Sequence, residues 1–183
     1  MTLLDDAMLV AQAQSELPYR TEAYTNLVRR HGRKIRSLAQ RFTADSAEAE
    51  DLTQEILLRV YVELPRFRGE SSFSTWLWRL ATHLCIDHQR RTAARPKTEN
   101  AESLVENTMH PIDRIAAIES RLDAERLLKT LDPEDRSIVL LRLLMDLEFR
   151  EIAAILDSGL SATKMRYSRA IEKLRSNCFQ ERA

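Results

Sequence analysis

Residues 131–175 read LDPEDRSIVLLRLLMDLEFREIAAILDSGLSATKMRYSRAIEKLR, and their periodicity sets the fold class of the chain. "LDPED" is a helix restart: Asp132 is placed to cap, Pro133 sits in the first turn where an N–H lacks a partner anyway, and Asp135 follows three residues after the cap. Ile138, Val139, Leu141, Leu144 and Met145 then form one apolar face. A short helix over 149–156 carries Phe149, Ile152, Ala153 and Leu156. A four-residue turn containing Gly159 separates it from a basic helix, with Ser161 as its cap and Lys164, Arg166, Arg169, Lys173 and Arg175 along it. Helix, short glycine turn, basic helix is the order of a helix-turn-helix. In that motif the first helix crosses the phosphate backbone and the leading residues of the second reach base edges in the major groove. Helical hairpins with a basic second helix also occur in proteins that never meet DNA, so this segment alone leaves both readings open.

The same period recurs upstream. Over 22–42, Tyr24, Leu27, Val28, Ile35, Leu38 and Phe42 share a stripe, and Arg29, Arg30, Arg33, Lys34 and Arg36 make the outer face basic. "TADSAEAED" interrupts it, with Asp45 and Glu48 spaced as a capping pair. A helix over 47–64 buries Leu52, Ile56, Val60 and Leu64, leaving Asp51, Gln54, Glu55 and Leu58 together on another face. Pro65 stops it. In "RFRGESSF" Gly69 permits a turn and Ser72 or Ser74 caps the next helix. There Phe73, Trp76, Leu77, Leu80, Ala81 and Leu84 form the apolar stripe; Trp78 falls off its centre, and Arg79, Arg90 and Arg91 point elsewhere.

Residues 96–111 lose periodicity and read as a linker, and a second amphipathic run over 112–131 passes through Ile115, Ile118, Leu122, Leu127 and Leu131. The expected fold is therefore all-α: two small helical bundles, 1–95 and 112–183, joined by a flexible linker over 96–111, the second ending in the helix-turn-helix. The bundles are expected to move independently about that linker. The first twenty residues read as a helix over 3–14 packed on the first bundle, with no assigned task.

With 44% apolar and 31% charged residues, the 183-residue chain has the composition of a folded protein. No apolar run approaches the ~18 residues of a membrane span, and the acidic start carries no basic leader, so neither insertion in a membrane nor a signal peptide is expected. Cys85 and Cys178 offer no disulfide framework, which fits a reducing cytoplasm. The formal net charge is zero, but residues 66–97 hold seven Lys/Arg against two Asp/Glu, 98–135 four against ten, and 136–183 nine against six. Two basic stretches around an acidic connector suit two contacts with a polyanion. The first includes FRGESSFSTWLWRLATHLCIDHQRR (67–91), where two Trp, two Phe and four Arg interleave. A core helix would explain the rings but not the arginines, and a solvated face the reverse. His83 and His88 do not share a helix face with each other, so no metal site is expected. There is no Gly-rich phosphate loop, no Ser/His/Asp set and no paired-His motif, so no cofactor, small-molecule substrate or catalytic residue is expected.

Together, AEDLTQEILLRVYVELPRFRGESSFSTWLWRLATHLCIDHQRR (49–91) and residues 131–175 resemble the extracytoplasmic-function sigma factors, bacterial promoter-specificity subunits of RNA polymerase. The first is similar to that family's second conserved domain and the other to its fourth. The resemblance covers about 20–95 and 112–176, with a linker where larger sigma factors carry a third domain. It implies a non-enzymatic subunit that binds core RNA polymerase and promoter DNA and directs initiation at a subset of promoters. It also implies control by an anti-sigma factor, which in membrane-anchored form would hold this cytoplasmic chain at the inner membrane.

The resemblance also assigns residues. "EDLTQE" corresponds to the attachment point for the polymerase largest subunit, implicating Asp51, Leu52, Gln54, Glu55 and Leu58. The Phe-Arg-Gly loop and following helix correspond to the minus-ten reader that holds the non-template strand as the duplex opens, implicating Phe67, Arg68, Ser71, Ser72, Phe73, Trp76, Arg79, His83, Arg90 and Arg91. Rings and cations fit that task, because aromatic faces replace lost stacking at ~1–3 kcal/mol per base while a cationic groove tracks the backbone. Phe73 and Trp76 also fit the buried stripe, where they would stiffen the loop. In the helix-turn-helix, Ser161, Ala162, Thr163, Lys164 and Arg166 correspond to leading positions over the minus-thirty-five element. Tyr167, Arg169, Lys173 and Arg175 suit phosphate or polymerase contact. His83 stands where the family usually has Asn, and "DSGLSATKM" has Asp-Ser-Gly where apolar residues are usual. A neutral His offers one donor and one acceptor in a geometry unlike an amide's, so no promoter sequence is inferred. A dimeric helix-turn-helix regulator is the alternative; it would explain 133–176 but not "EDLTQE" or the aromatic loop.

Overall fold

A computed structural model describes residues 5–93, 124 and 126–180. The elements in chain order are α1 (Asp6–Glu16), α2 (Glu22–Ala39), α3 (Ser46–Glu63), a single 3-10 turn (Leu64–Arg66), α4 (Phe73–Ala93), α5 (Pro133–Leu144), α6 (Phe149–Ile155) and α7 (Leu160–Gln180), with no strand among the described residues. The linker expected over 96–111 and most of the helix expected over 112–131 lie outside them. None of the described helices is long and apolar enough to cross a membrane.

Local chemistry sets the helix starts. Asp45 Oδ1 accepts from Glu48 N at 2.8 Å while Glu48 Oε2 accepts from Ala44 N at 2.7 Å, a reciprocal cap reaching one residue further back than Asp45's own amide. Asp132 Oδ1 accepts from Asp135 N at 3.0 Å to start α5, and Ser72 rather than Ser74 caps α4 by accepting from Thr75 N at 3.0 Å. The expectation for Ser161 is corrected. α7 already begins at Leu160, so Gly159 holds the cap position and Ser161 lies inside the first turn. The left-handed residue of this turn is Asp157 (φ 49°), a residue type that tolerates the conformation. Gly159 is not required there for space, since an added Cβ would meet nothing within 4 Å.

Leu9, Val10 and Ala13 of α1 pack with Leu27, Ile35 and Leu38 of α2, Leu52, Ile56 and Val60 of α3, and Leu77 and Ala81 of α4. Trp78 is corrected from off-stripe to core: it is buried and meets the edge of His31 at 6.3 Å, because α4 is enclosed on more than one side. In the second bundle, Ile138, Val139, Leu140 and Leu141 of α5 are all buried. A helix apolar on adjacent faces needs neighbours on both. α7 covers one side through Ala170, and the other side joins the core of the first bundle, with α4 packed against α5 and α6. The buried side chains run continuously from one bundle into the other.

Arg136 sits at that junction. It is 2% exposed, and its five N–H groups go to the carbonyls of Leu128 (2.9 Å), Arg41 (3.2 Å), Lys129 (3.1 Å) and Leu131 (3.0 Å) and to Gln89 Oε1 (3.0 Å). The guanidinium carbon lies 5.4 Å from the centre of the Phe42 ring. Burial lowers its pKa, with Asp132 opposing.

Candidate nucleic-acid interface

The loop over 67–72 leaves the first bundle because α3 ends in the Leu64–Arg66 turn, and Gly69 then takes φ 73°. Behind it stand three rings: Phe67–Trp76 at 5.1 Å, Phe73–Trp76 at 5.7 Å and Phe67–Phe73 at 6.3 Å. Phe73 is the inner ring and is buried, so its expected direct contact with a base is corrected to a supporting role under half-buried Phe67 and Trp76. Arg68, Ser71 and Ser72 are exposed, Ser72 Oγ being used as the cap. The loop separates two open clefts, one of about 520 Å³ against α1 and one of about 720 Å³ against Arg79 and the α6–α7 turn.

The arginines of α4 are already engaged. Arg79 pairs with Asp157 of the second bundle, Arg90 with Glu134 at 3.1 Å, and Arg91 with Glu55 at 3.6 Å. All are substantially exposed, and exposed pairs are worth ~0–1 kcal/mol, so phosphates can displace the carboxylates cheaply. His83 is exposed at a crevice of about 220 Å³ between the bundles, whereas His88 turns inward to Glu48 Oε1 at 2.9 Å. Cys85 is fully buried, and burial pushes its thiol pKa up, so it is inert packing.

On α3, Asp51, Gln54 and Glu55 are exposed beside Leu58, which is 64% exposed. Leu52 is corrected: it faces the core at 1% exposure, one helical position away from the outward face. Sequence reasoning missed Val62, 54% exposed one turn beyond Leu58. The i, i+4 spacing carried that signal.

In the helix-turn-helix, Ser161, Ala162 and Lys164 are exposed at the head of α7, joined by exposed Met165, which sequence reasoning passed over. Thr163 is corrected. It is wholly buried, donates to the Gly159 carbonyl at 3.0 Å and meets Ser158 Oγ at 2.8 Å, so it stiffens the turn rather than facing outward. Arg166 is corrected as well, because its guanidinium donates to Asp135 (2.6 Å), Glu134 (2.5 Å) and Asp132 (3.4 Å) at the start of α5. Those acids are drawn to the helix N-terminus and, partly buried together, need the cation. Tyr167 is half-buried, edge-on to Phe149 at 5.2 Å, and Arg169, Lys173 and Arg175 line the outer side.

The helix-turn-helix bundle packs beside a bundle that offers a ring-backed basic loop and an acidic helix face. Residues 27–95 match Sigma-70 region 2 and residues 127–176 match Sigma-70 region 4. The chain is 30% identical over 181 residues to the ECF RNA polymerase sigma-E factor of Escherichia coli strain K12, covering 93% of each. It is also 30% identical over 164 residues to the ECF RNA polymerase sigma factor SigW of Bacillus subtilis, covering 84% of this chain and 88% of the relative. Among solved structures, CnrH in complex with the cytosolic domain of CnrY superposes with a TM-score of 0.73 at 24% identity, covering 96% of this chain and 97% of that one. The sigma factor RpoE of Bartonella quintana in complex with the anti-sigma factor NepR gives 0.65 at 17% identity, covering 84% and 94%. The chain belongs to the ECF RNA polymerase sigma factors. Its function is that of the family: a promoter-specificity subunit that directs core RNA polymerase to a subset of promoters.

Proposed function

We propose that the work is divided between two domains, 1–95 and 112–183, with Asp51, Gln54, Glu55, Leu58 and Val62 docking on core polymerase. Acidic groups around an apolar patch set register and on-rate against a basic partner. Phe67, Arg68, Ser71 and Trp76 receive the unstacked minus-ten strand, while Arg79, His83, Arg90 and Arg91 follow duplex or backbone. Ser161, Ala162, Lys164 and Met165 face the minus-thirty-five bases, and Arg169 and Lys173 the phosphates. Nucleotidyl transfer belongs to the polymerase, and this chain carries no catalysis of its own. The chain acts in the cytoplasm under the control of an anti-sigma factor; the sigma factor RpoE of Bartonella quintana is solved with such a partner, NepR. The observation that carries the minus-ten assignment is the exposed basic loop standing on the Phe67–Phe73–Trp76 cluster.

The test is reconstitution with core polymerase lacking any sigma subunit and a library of promoter fragments, followed by transcript sequencing. Discrete start sites that vanish with Asp51→Lys and Glu55→Lys support the reading. Duplex binding without transcripts or association with core would reject it.

A further inference from the structure

We propose that Gln14 of α1 is a positioning residue for strand capture, bracing the loop over 67–72 in the shape that receives a base. The proposal rests on the minus-ten reading above. Gln14 lies about fifty residues before the loop in sequence and is half-buried against it. Its Nε2 donates to the Leu64 carbonyl at 3.0 Å and to the Phe67 carbonyl at 2.7 Å. These two residues open and close the 3-10 turn, since Phe67 N donates to the Leu64 carbonyl at 3.1 Å. One side-chain amide therefore uses both hydrogens to fix the point where the loop departs.

The same helix also reaches the loop's far end. The Asp6 carboxylate meets Arg30 at 2.5 Å and His31 at 2.8 Å, and the His31 ring stands edge-on to Phe73 at 5.6 Å. Between these anchors lies the cleft of about 520 Å³, walled by Val10, Ala11 and Gln14 on one side and the loop on the other. The loop itself is exposed and contains Gly69, so its unbraced conformational entropy is high. Ordering it in advance lowers the cost of binding a strand. Both Gln14 hydrogen bonds end at the base of the loop rather than on the polymerase face of α3 or the head of α7, so capture is the step that depends on the brace.

Gln14→Met keeps length and bulk while removing both donors, and Gln14→Ala is the second variant. In the full chain, hydrogen exchange of the amides over 67–72 is expected to accelerate severalfold, with α2 to α4 unchanged. In holoenzyme on a promoter fragment obtained by the reconstitution, strand opening read by permanganate reactivity is expected to fall roughly tenfold, the loss of one or two net hydrogen bonds. Preference for the captured base should weaken, with core affinity retained. Unchanged exchange and opening would overturn the proposal. So would a parallel loss of core affinity and minus-thirty-five binding, which would mean that Gln14 only supports the fold. Phe67→Ala and Arg68→Ala separate the two readings. If they leave opening intact, the minus-ten assignment fails and takes the brace with it; if they abolish opening while Gln14→Met is silent, only the brace fails.

Discussion

Arg136 on α5 donates to Gln89 Oε1 on α4 at 3.0 Å, so a buried guanidinium in the second bundle is satisfied by an amide in the first. The remaining donors go to backbone carbonyls on both sides of the junction, including Arg41 at the end of α2. A single side chain thus ties the two bundles of this sigma factor together.

Truncating it should be severe. Arg136→Ala leaves four carbonyls and the Gln89 amide without their donor and opens a void beside Phe42, for a loss of about 3 kcal/mol or more in urea unfolding. Gln89→Ala removes one bond and should cost about 1 kcal/mol. An Arg136→Ala change below 0.5 kcal/mol, on the order of a surface substitution, would refute the coupling.

The acidic face of α3 should separate binding from stability. Asp51→Lys combined with Glu55→Lys alters exposed groups, Glu55 being paired with the exposed Arg91, so stability should move by about 0.5 kcal/mol or less. Affinity for core polymerase, followed by fluorescence anisotropy, should drop at least roughly tenfold through lost complementarity.

Two cations on α7 should behave oppositely. Lys164→Ala should weaken promoter binding by ~1–3 kcal/mol and relax the preference at one base pair without altering the fold. Arg166→Ala should lower thermal stability, because it removes the cation shared by three neighbouring carboxylates, Asp132, Glu134 and Asp135. Equal thermal midpoints for the two variants would contradict the assignment.

Alkaline stability should track Tyr24. Burial, with Tyr61 nearby, pushes its phenol pKa from 10.0 up to about 12, and its hydroxyl donates to the Leu57 carbonyl at 2.6 Å. The folded chain holds this proton more tightly than the unfolded chain does. Its contribution is therefore complete below about pH 10 and is lost as pH rises towards about 12. Buried Cys85, also shifted up, acts in the same direction from its own lower starting point. Urea unfolding as a function of pH should show a shallower alkaline decline in Tyr24→Phe than in the parent chain.

Thr82 Oγ1 is buried on α4 with no hydrogen-bond partner among the described residues. Thr82→Val keeps the shape and removes the unsatisfied hydroxyl, and should raise unfolding free energy by about 1 kcal/mol. A loss of stability would mean that the hydroxyl has a partner, such as a bound water.

The sequence by itself determined the described helices, the caps of three of them and the two family regions. These depend on local chemistry: apolar spacing, Asp45 with Glu48, Asp132 before Pro133, and the ring-and-arginine order of 67–91. Tertiary structure alone decided which residues of each motif face outward. Leu52, Phe73, Thr163 and Trp78 lie inside because neighbouring helices enclose them, and Arg166 is held by acids some thirty residues earlier in the chain. Periodicity marks a face but does not say how many partners will cover it. For the same reason, neither the Gln14 brace nor the Arg136 junction could be read from spacing. Each joins groups more than forty residues apart, and only the packed chain brings their donors and acceptors within 3.2 Å.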